Sequence, residues 1–223
     1  MPCNCCEITD QAFSEDEARS ELKSYSRKGP PRQTRLILDA IRSLDLKNAT
    51  LLDIGGGIGA IHHELLDDVA EAATHVDASS AYLKEAKAEA ARRGHGERVN
   101  FIHADFTDVA VDLPKEDIVT LDRVVCCYPD FHSLLKAAAE HSRKALALTY
   151  PREIWYMRIG LKVLNFFQRL RNDPFRVFLH PIADMDALIK KEGFERVSVR
   201  RLFVWEMALY QRVGHLYSIV DSA

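Results

Sequence analysis

The sequence predicts an α/β fold: a doubly wound, mostly parallel sheet with an antiparallel pair of strands at its C-terminal edge, preceded by N-terminal helices. Three observations predict it. From Thr50 onward, short apolar runs alternate with amphipathic helical stretches, as in a parallel sheet covered on both faces. The first run, residues 51–54, opens into a glycine-rich turn and a helix start. The last two apolar-rich runs, residues 196–199 and 202–210, are joined by a link too short for a crossover and so pair antiparallel.

Each element has its own local reason. Ser14 followed by Glu15, Asp16 and Glu17 reads as an N-cap with acids in the first turn of a helix ending near Arg27. Lys28-Gly29-Pro30-Pro31 breaks the chain, after which Leu36, Ile37, Ala40, Ile41 and Leu44 recur at helical spacing. Strands are expected at 51–54, 74–77, 99–103, 117–122 and 145–150, with helices at 80–93 and 131–143. In residues 152–171, Trp155, Ile159, Val163, Phe166 and Leu170 form an apolar stripe. Arg158, Lys162, Asn165, Arg169 and Asn172 form a polar, largely basic one opposite. A helix at about 182–191 leads through Glu192-Gly193 into the final pair. The chain reads as a single domain, residues 1–223: a helical cap (1–46), a core (47–150), an insertion (151–181) and a C-terminal helix and strand pair (182–223).

Composition narrows the function. With 223 residues, 47% hydrophobic and 28% charged, the chain is that of a soluble globular protein. Lys and Arg total 30 against 33 Asp and Glu, a net charge of -3, so no global positive field gathers nucleic acid. No run of roughly eighteen apolar residues is present, which argues against a transmembrane helix. The N-terminus has neither a basic nor an apolar signal-peptide region, so a cytoplasmic location is expected. The five cysteines fall in two tight groups, Cys3, Cys5 and Cys6 and then Cys126 with Cys127, which is not a disulfide framework.

The most informative stretch is Asp53-Ile54-Gly55-Gly56-Gly57-Ile58-Gly59, a strand ending in an acid and then a glycine turn that lets backbone approach a nucleoside. Gly55-x-Gly57-x-x-Ala60 also satisfies the loose dinucleotide fingerprint. Asp53 argues against it, because a carboxylate aimed into the turn opposes a pyrophosphate yet accepts from a cationic amino-acid ligand. Asp77 ends the second strand, suited to two ribose hydroxyls, and Asp105 ends the third, where a carboxylate accepts from an adenine amino group beside Phe106.

These residues resemble class I S-adenosylmethionine-dependent methyltransferases of the small-molecule type, whose Rossmann-like core carries D-x-G-x-G-x-G. The resemblance covers roughly residues 50–150 in order: the glycine motif, Val76-Asp77-Ala78-Ser79, Ala104-Asp105-Phe106, and residues 117–130 as the fourth strand and its loop. It implies S-adenosylmethionine as cofactor and Asp53, Gly55, Gly56, Gly57, Asp77, Ala78, Asp105, Phe106 and Asp122 as its binding set. In that set Asp77 serves the ribose, Asp105 and Phe106 the adenine, and Asp122 the methionine moiety. Tyr25, Arg27 and Arg32 lie in the segment that closes over the cofactor in many such enzymes, where an arginine could pair with the methionine carboxylate.

On the acceptor side, Cys126-Cys127 and then Tyr128-Pro129-Asp130 stand where related enzymes often carry a Glu-His pair, and no Asn/Asp-Pro-Pro-aromatic motif is present. The resemblance implies methyl transfer to a small, aromatic or lipid-like acceptor, on oxygen. A narrower resemblance, to magnesium-protoporphyrin methyltransferases, is confined to the shared core and the stretch from Tyr150 to Trp155. His180, Tyr128 and Tyr150 are the candidate bases. No metal is expected: Cys-x-Cys-Cys lacks zinc spacing, although Cys126 and Cys127 could face the acceptor with the N-terminal cysteines over the same opening. His62 and His63 are expected exposed or packed on the cofactor side rather than ligating. The 151–181 insertion is expected over the acceptor pocket, or at a dimer contact or membrane surface. The alternatives are an NAD(P)-dependent oxidoreductase, and a non-catalytic cofactor-binding or thiol-rich sensor module.

Overall fold

The computed structural model describes residue 10 and residues 12–171 and 173–214, so Cys3, Cys5, Cys6 and Asn172 lie outside the described residues. Two N-terminal helices, α1 (Glu15–Lys28) and α2 (Arg32–Arg42), precede the sheet. Helix α1 begins in a reciprocal capping box between Ser14 and Glu17. Then follow β1 (Ala49–Ile54), α3 (Ala60–Leu66), β2 (Ala70–Asp77), α4 (Ser80–Arg93), β3 (Val99–His103), the single turn α5 (Phe106–Val109), β4 (Glu116–Asp122), α6 (Phe131–His141) and β5 (Ser142–Pro151). The chain continues through α7 (Trp155–Leu170), α8 (Ile182–Lys191), β6 (Phe194–Arg201) and β7 (Trp205–Arg212).

The seven strands lie in the order β3-β2-β1-β4-β5-β7-β6. The first five are parallel, and β7 runs antiparallel between β5 and β6. Successive side chains on a strand point to opposite faces, so Leu51 and Leu52 enter different cores. Leu52, Val119, Leu121, Leu146 and Leu148 pack with Leu134, Leu135 and Ile189 of α6 and α8. Leu51, Ile118, Ala145 and Leu209 pack with Ile37, Ile41 and Leu65 of α2 and α3. The register sets Asp53 opposite Thr120 and Asp122 opposite Thr149, so the acids gather at the carboxyl edge of the sheet.

One expected boundary changes. The helix expected to reach 143 stops at His141, because the Arg212 guanidinium donates to the carbonyls of Ala139 (2.9 Å) and Ser142 (2.7 Å) and draws the chain straight into β5. The apolar stripe of α7 faces solvent: Trp155 is 73% exposed and Leu170 64%, with Ile159, Val163 and Phe166 also exposed. Met157, Leu161 and the partly exposed Leu164 are the α7 residues that line the cleft described below.

Candidate active site

A cleft of about 490 Å³ opens at the carboxyl edge of the parallel strands, where β1 and β4 diverge to their helices. Its floor is the β1–α3 turn. Gly55 sits at φ +61°, and a Cβ there would come 2.5 Å from Cγ2 of Val124, so both backbone and space demand glycine. Gly57, at φ +57°, donates its N–H to Asp77 at 2.8 Å.

Asp77 is buried at the end of β2 and also accepts from the Ser79 N–H at 2.8 Å. Burial raises its pKa to about 6 despite those two donors. Asp105 caps α5 through the Thr107 N–H (3.0 Å) and accepts from the Tyr128 hydroxyl at 3.0 Å. Phe106 is buried beside it in the cleft wall. Asp122 accepts from Thr149 of β5 and Thr34 of α2, and burial raises its pKa. Gly56 and Ala78 complete the cofactor-side candidates that line the cleft. Asp53 abuts the cleft but is fully buried, its oxygens turned to Thr120 (2.8 Å) and His62 (3.2 Å).

The catalytic candidates part company. Tyr128 lines the cleft, but its hydroxyl is engaged by Asp105 and by Thr107, and burial raises its pKa. His180 is not a cleft residue; its Nε2–H donates to the Tyr128 carbonyl (2.9 Å), its ring packs against Phe131 and Phe178, and burial lowers its pKa. Tyr150 points away into the core, donating to Glu206 at 3.1 Å. Neither His180 nor Tyr150 is brought to the cleft. Cys126 and Cys127 both line it; their Sγ atoms are 3.8 Å apart, and the hydrogen bond between them raises the Cys126 pKa and lowers that of Cys127.

Of the N-terminal candidates, Arg27 and Arg32 are exposed and outside the cleft, and Tyr25 is buried against Glu64. What α1 does contribute is Glu21, which accepts from the Tyr82 hydroxyl and from the Arg123 guanidinium, each at 2.8 Å. Sequence reasoning missed Glu21, Thr34 and Arg123. Only Arg123 had a signal, its place next to Asp122 at a strand end. His62 and His63 are neither exposed nor on the cofactor side: both are fully buried behind the turn.

Residues 51–147 match the model of the methyltransferase domain family. The chain carries a class I S-adenosylmethionine-dependent methyltransferase domain. S-adenosylmethionine is thus the cofactor of this methyltransferase, and the dinucleotide and non-catalytic alternatives fall away. None of the curated proteins matches the sequence. Among solved structures, the methyltransferase is similar to magnesium protoporphyrin IX methyltransferase from Synechocystis PCC 6803 with bound SAH (TM-score 0.72, 18% identity, covering 93% of this chain and 99% of that one). It is also similar to an O-methyltransferase family protein from Burkholderia thailandensis (TM-score 0.67, 16% identity, 90% of this chain and 61% of that one). At these identities the likeness concerns the fold. No helix among the described residues is long and apolar enough to cross a membrane.

Proposed function

We propose that this methyltransferase acts on an oxygen of a small, apolar acceptor, aromatic or lipid-like, and that the oxygen is already anionic when it binds. The observation that carries this reading is the composition of the acceptor wall: every cleft residue contributed beyond residue 150 is apolar, namely Pro151, Met157, Leu161, Leu164, Phe175, Val177 and Trp205.

The residues present fit the cofactor. The Gly55–Gly57 turn is bare of side chains, and Asp77, although it holds two backbone N–H groups, retains lone pairs for ribose hydroxyls. Asp105 would receive the adenine amino group beside Phe106, with Tyr128 fixing that carboxylate. Asp122 and the Glu21–Arg123 pair would meet the amino-acid end. S-adenosylmethionine supplies an electrophilic methyl on a cationic sulfur. Transfer of that methyl to an anion cancels charge, and a wall of apolar side chains that excludes water favours it. Much of the remaining acceleration is alignment, which supplies about 7–11 kcal/mol. No free base is then needed, in keeping with Tyr128 and Asp122 being hydrogen-bonded elsewhere and Arg123 being the one cation among the described cleft residues. The similar Synechocystis enzyme is a methyltransferase of magnesium protoporphyrin IX, an aromatic macrocycle, which supports an acceptor of the same class here. We read the N-terminal helices and the 151–181 insertion as parts of this one catalytic domain.

The test is methyl transfer from labelled S-adenosylmethionine to matched panels of apolar carboxylic acids, phenols and amines, with products identified by mass spectrometry. Methyl esters or ethers are expected, with ester products released by mild base. Turnover confined to amines would overturn the oxygen assignment.

A further inference from the structure

Behind the glycine turn, three fully buried groups from three elements converge: Asp53 near the end of β1, which abuts the cleft, and His62 in α3 and His75 in β2, which do not line it. Each offers one potential ligand atom, and these atoms all lie within 4.8 Å of one another. Nδ1 of His62 is 3.2 Å from Oδ2 of Asp53 and 3.2 Å from Nδ1 of His75.

Hydrogen bonding satisfies this arrangement only in part. An imidazole nitrogen holds either a proton or an in-plane lone pair, so Nδ1 of His62 has one such bond to share between two neighbours, each at 3.2 Å. The far sides of the rings offer no compensation, because Nε2 of His62, His63 and His75 are buried without a partner. Buried polar atoms in such a state are costly and call for an explanation.

We propose that Asp53, His62 and His75 form a zinc site that braces the cofactor loop from behind. Ligand atoms on a tetrahedral zinc, bonded at about 2.0–2.1 Å, are separated by about 3.3 Å, close to the two 3.2 Å separations here. Two imidazoles and one carboxylate are an ordinary zinc donor set, and a cation turns three competing lone pairs into three bonds. Thr120 donates to the other oxygen of Asp53 at 2.8 Å, orienting the carboxylate as outer partners of metal ligands do. Three protein ligands leave one coordination position for water.

Gly56 supplies the room. Unlike Gly55 and Gly57 it has no positive φ, so its backbone does not require glycine. A Cβ there would instead lie 2.7 Å from Oδ2 of Asp53 and 2.7 Å from Nδ1 of His75, inside the space the ion would share. The additional glycine in the Gly55-Gly56-Gly57 run thereby gains a reason that cofactor binding does not give it.

The test uses the full chain, stripped with EDTA and then titrated with Zn²⁺, and with Co²⁺ as a visible reporter. The expected result is one equivalent bound per chain, a tetrahedral cobalt spectrum, and a zinc-induced rise in Tm on the order of 5–10 °C at a hundredfold excess over Kd. His75→Gln should abolish the cobalt spectrum and Gly56→Ala should weaken binding at least tenfold, with folding checked by circular dichroism. His63→Gln, which alters a neighbouring ring outside the triad, should keep the spectrum. Wild-type protein that binds no zinc overturns the proposal, as does cobalt binding that survives His75→Gln. Methyl transfer is not the readout, so the outcome is independent of the acceptor assignment.

Discussion

Gly55→Ala tests the geometry of the cofactor loop most directly, because its cost has two parts that can be separated. Placing a non-glycine residue in the left-handed region costs about 1–2 kcal/mol, and Gly55 sits at φ +61°. The new Cβ would also stand 2.5 Å from Cγ2 of Val124, well inside contact distance, and overpacking of this kind costs about 1–3 kcal/mol. The sum is a destabilisation of about 2–5 kcal/mol, measurable by urea unfolding. In a Val124→Ala background both Cγ atoms are gone and the nearest Val124 atom is its Cβ at 3.5 Å, an ordinary contact. The clash should then vanish and the backbone strain remain. A double-mutant cycle should therefore give a favourable coupling of about 1–3 kcal/mol between the substitutions, with calorimetry against S-adenosylhomocysteine following the same order of loss and partial rescue. An identical penalty for Gly55→Ala in both backgrounds would refute the argument, since Val124 would then not be what fills the space beside the turn.

Other expectations follow from the cleft. Asp77→Asn should weaken S-adenosylhomocysteine binding by about 10–150-fold, the worth of one charge-assisted hydrogen bond at about 1.5–3 kcal/mol, and unchanged calorimetric affinity would remove Asp77 from the ribose site. Tyr128→Phe takes away only the hydroxyl held by Asp105; it should raise KM for S-adenosylmethionine by about 2–10-fold with kcat nearly constant, whereas a collapse of kcat would make Tyr128 a base after all. Tyr150→Phe, deep in the core with Glu206, should cost about 1 kcal/mol of stability in denaturant and leave both KM values alone. Leu161→Glu puts a carboxylate in the apolar wall and should raise KM for an anionic acceptor by at least about tenfold while cofactor affinity holds; equal losses for both ligands would show that α7 does not form the acceptor wall.

What was legible in the sequence was what depends on nearest neighbours along the chain. The strand at 99–103 and the helices at 80–93 and 182–191 were found to the residue, because caps, glycines and period-specific apolar spacing sit within a few positions of each boundary. The β5 boundary was not, since Arg212, seventy positions from Ser142, decides where α6 stops. The stripe on α7 exposes a deeper limit. Periodicity separated Trp155, Ile159, Val163, Phe166 and Leu170 from the basic side, but both that stripe and the Met157–Leu161–Leu164 side are apolar. No pattern within a helix says which of two apolar sides meets a neighbour.

The same distinction governs the site. Asp53, Asp77, Asp105 and Asp122 could be placed at the cleft because each lies at or beside the end of a strand, and parallel strands deliver their carboxyl ends to one edge by construction. Residues that act on those acids from elsewhere could not. Thr34 reaches Asp122 across 88 positions and Glu21 reaches Arg123 across 102, and neither carries a motif. Asp53 shows how far this goes. At the level of sequence it is the acid of a cofactor motif facing a ligand, yet the side chains that claim it are Thr120 and His62, behind the loop. His62 and His75 are thirteen positions apart, with no metal-binding spacing, and only the adjacency of α3 and β2 makes them neighbours. The demand at the middle glycine of the loop, for space at Gly56 rather than for a left-handed backbone, is invisible until Asp53 and His75 are seen to occupy the far side. A loop with a ligand on one face and a buried polar cluster on the other is constrained from both. Substitutions at Asp53 should for that reason affect stability and cofactor affinity together, whereas those at Asp77 should act on affinity far more than on the histidine cluster.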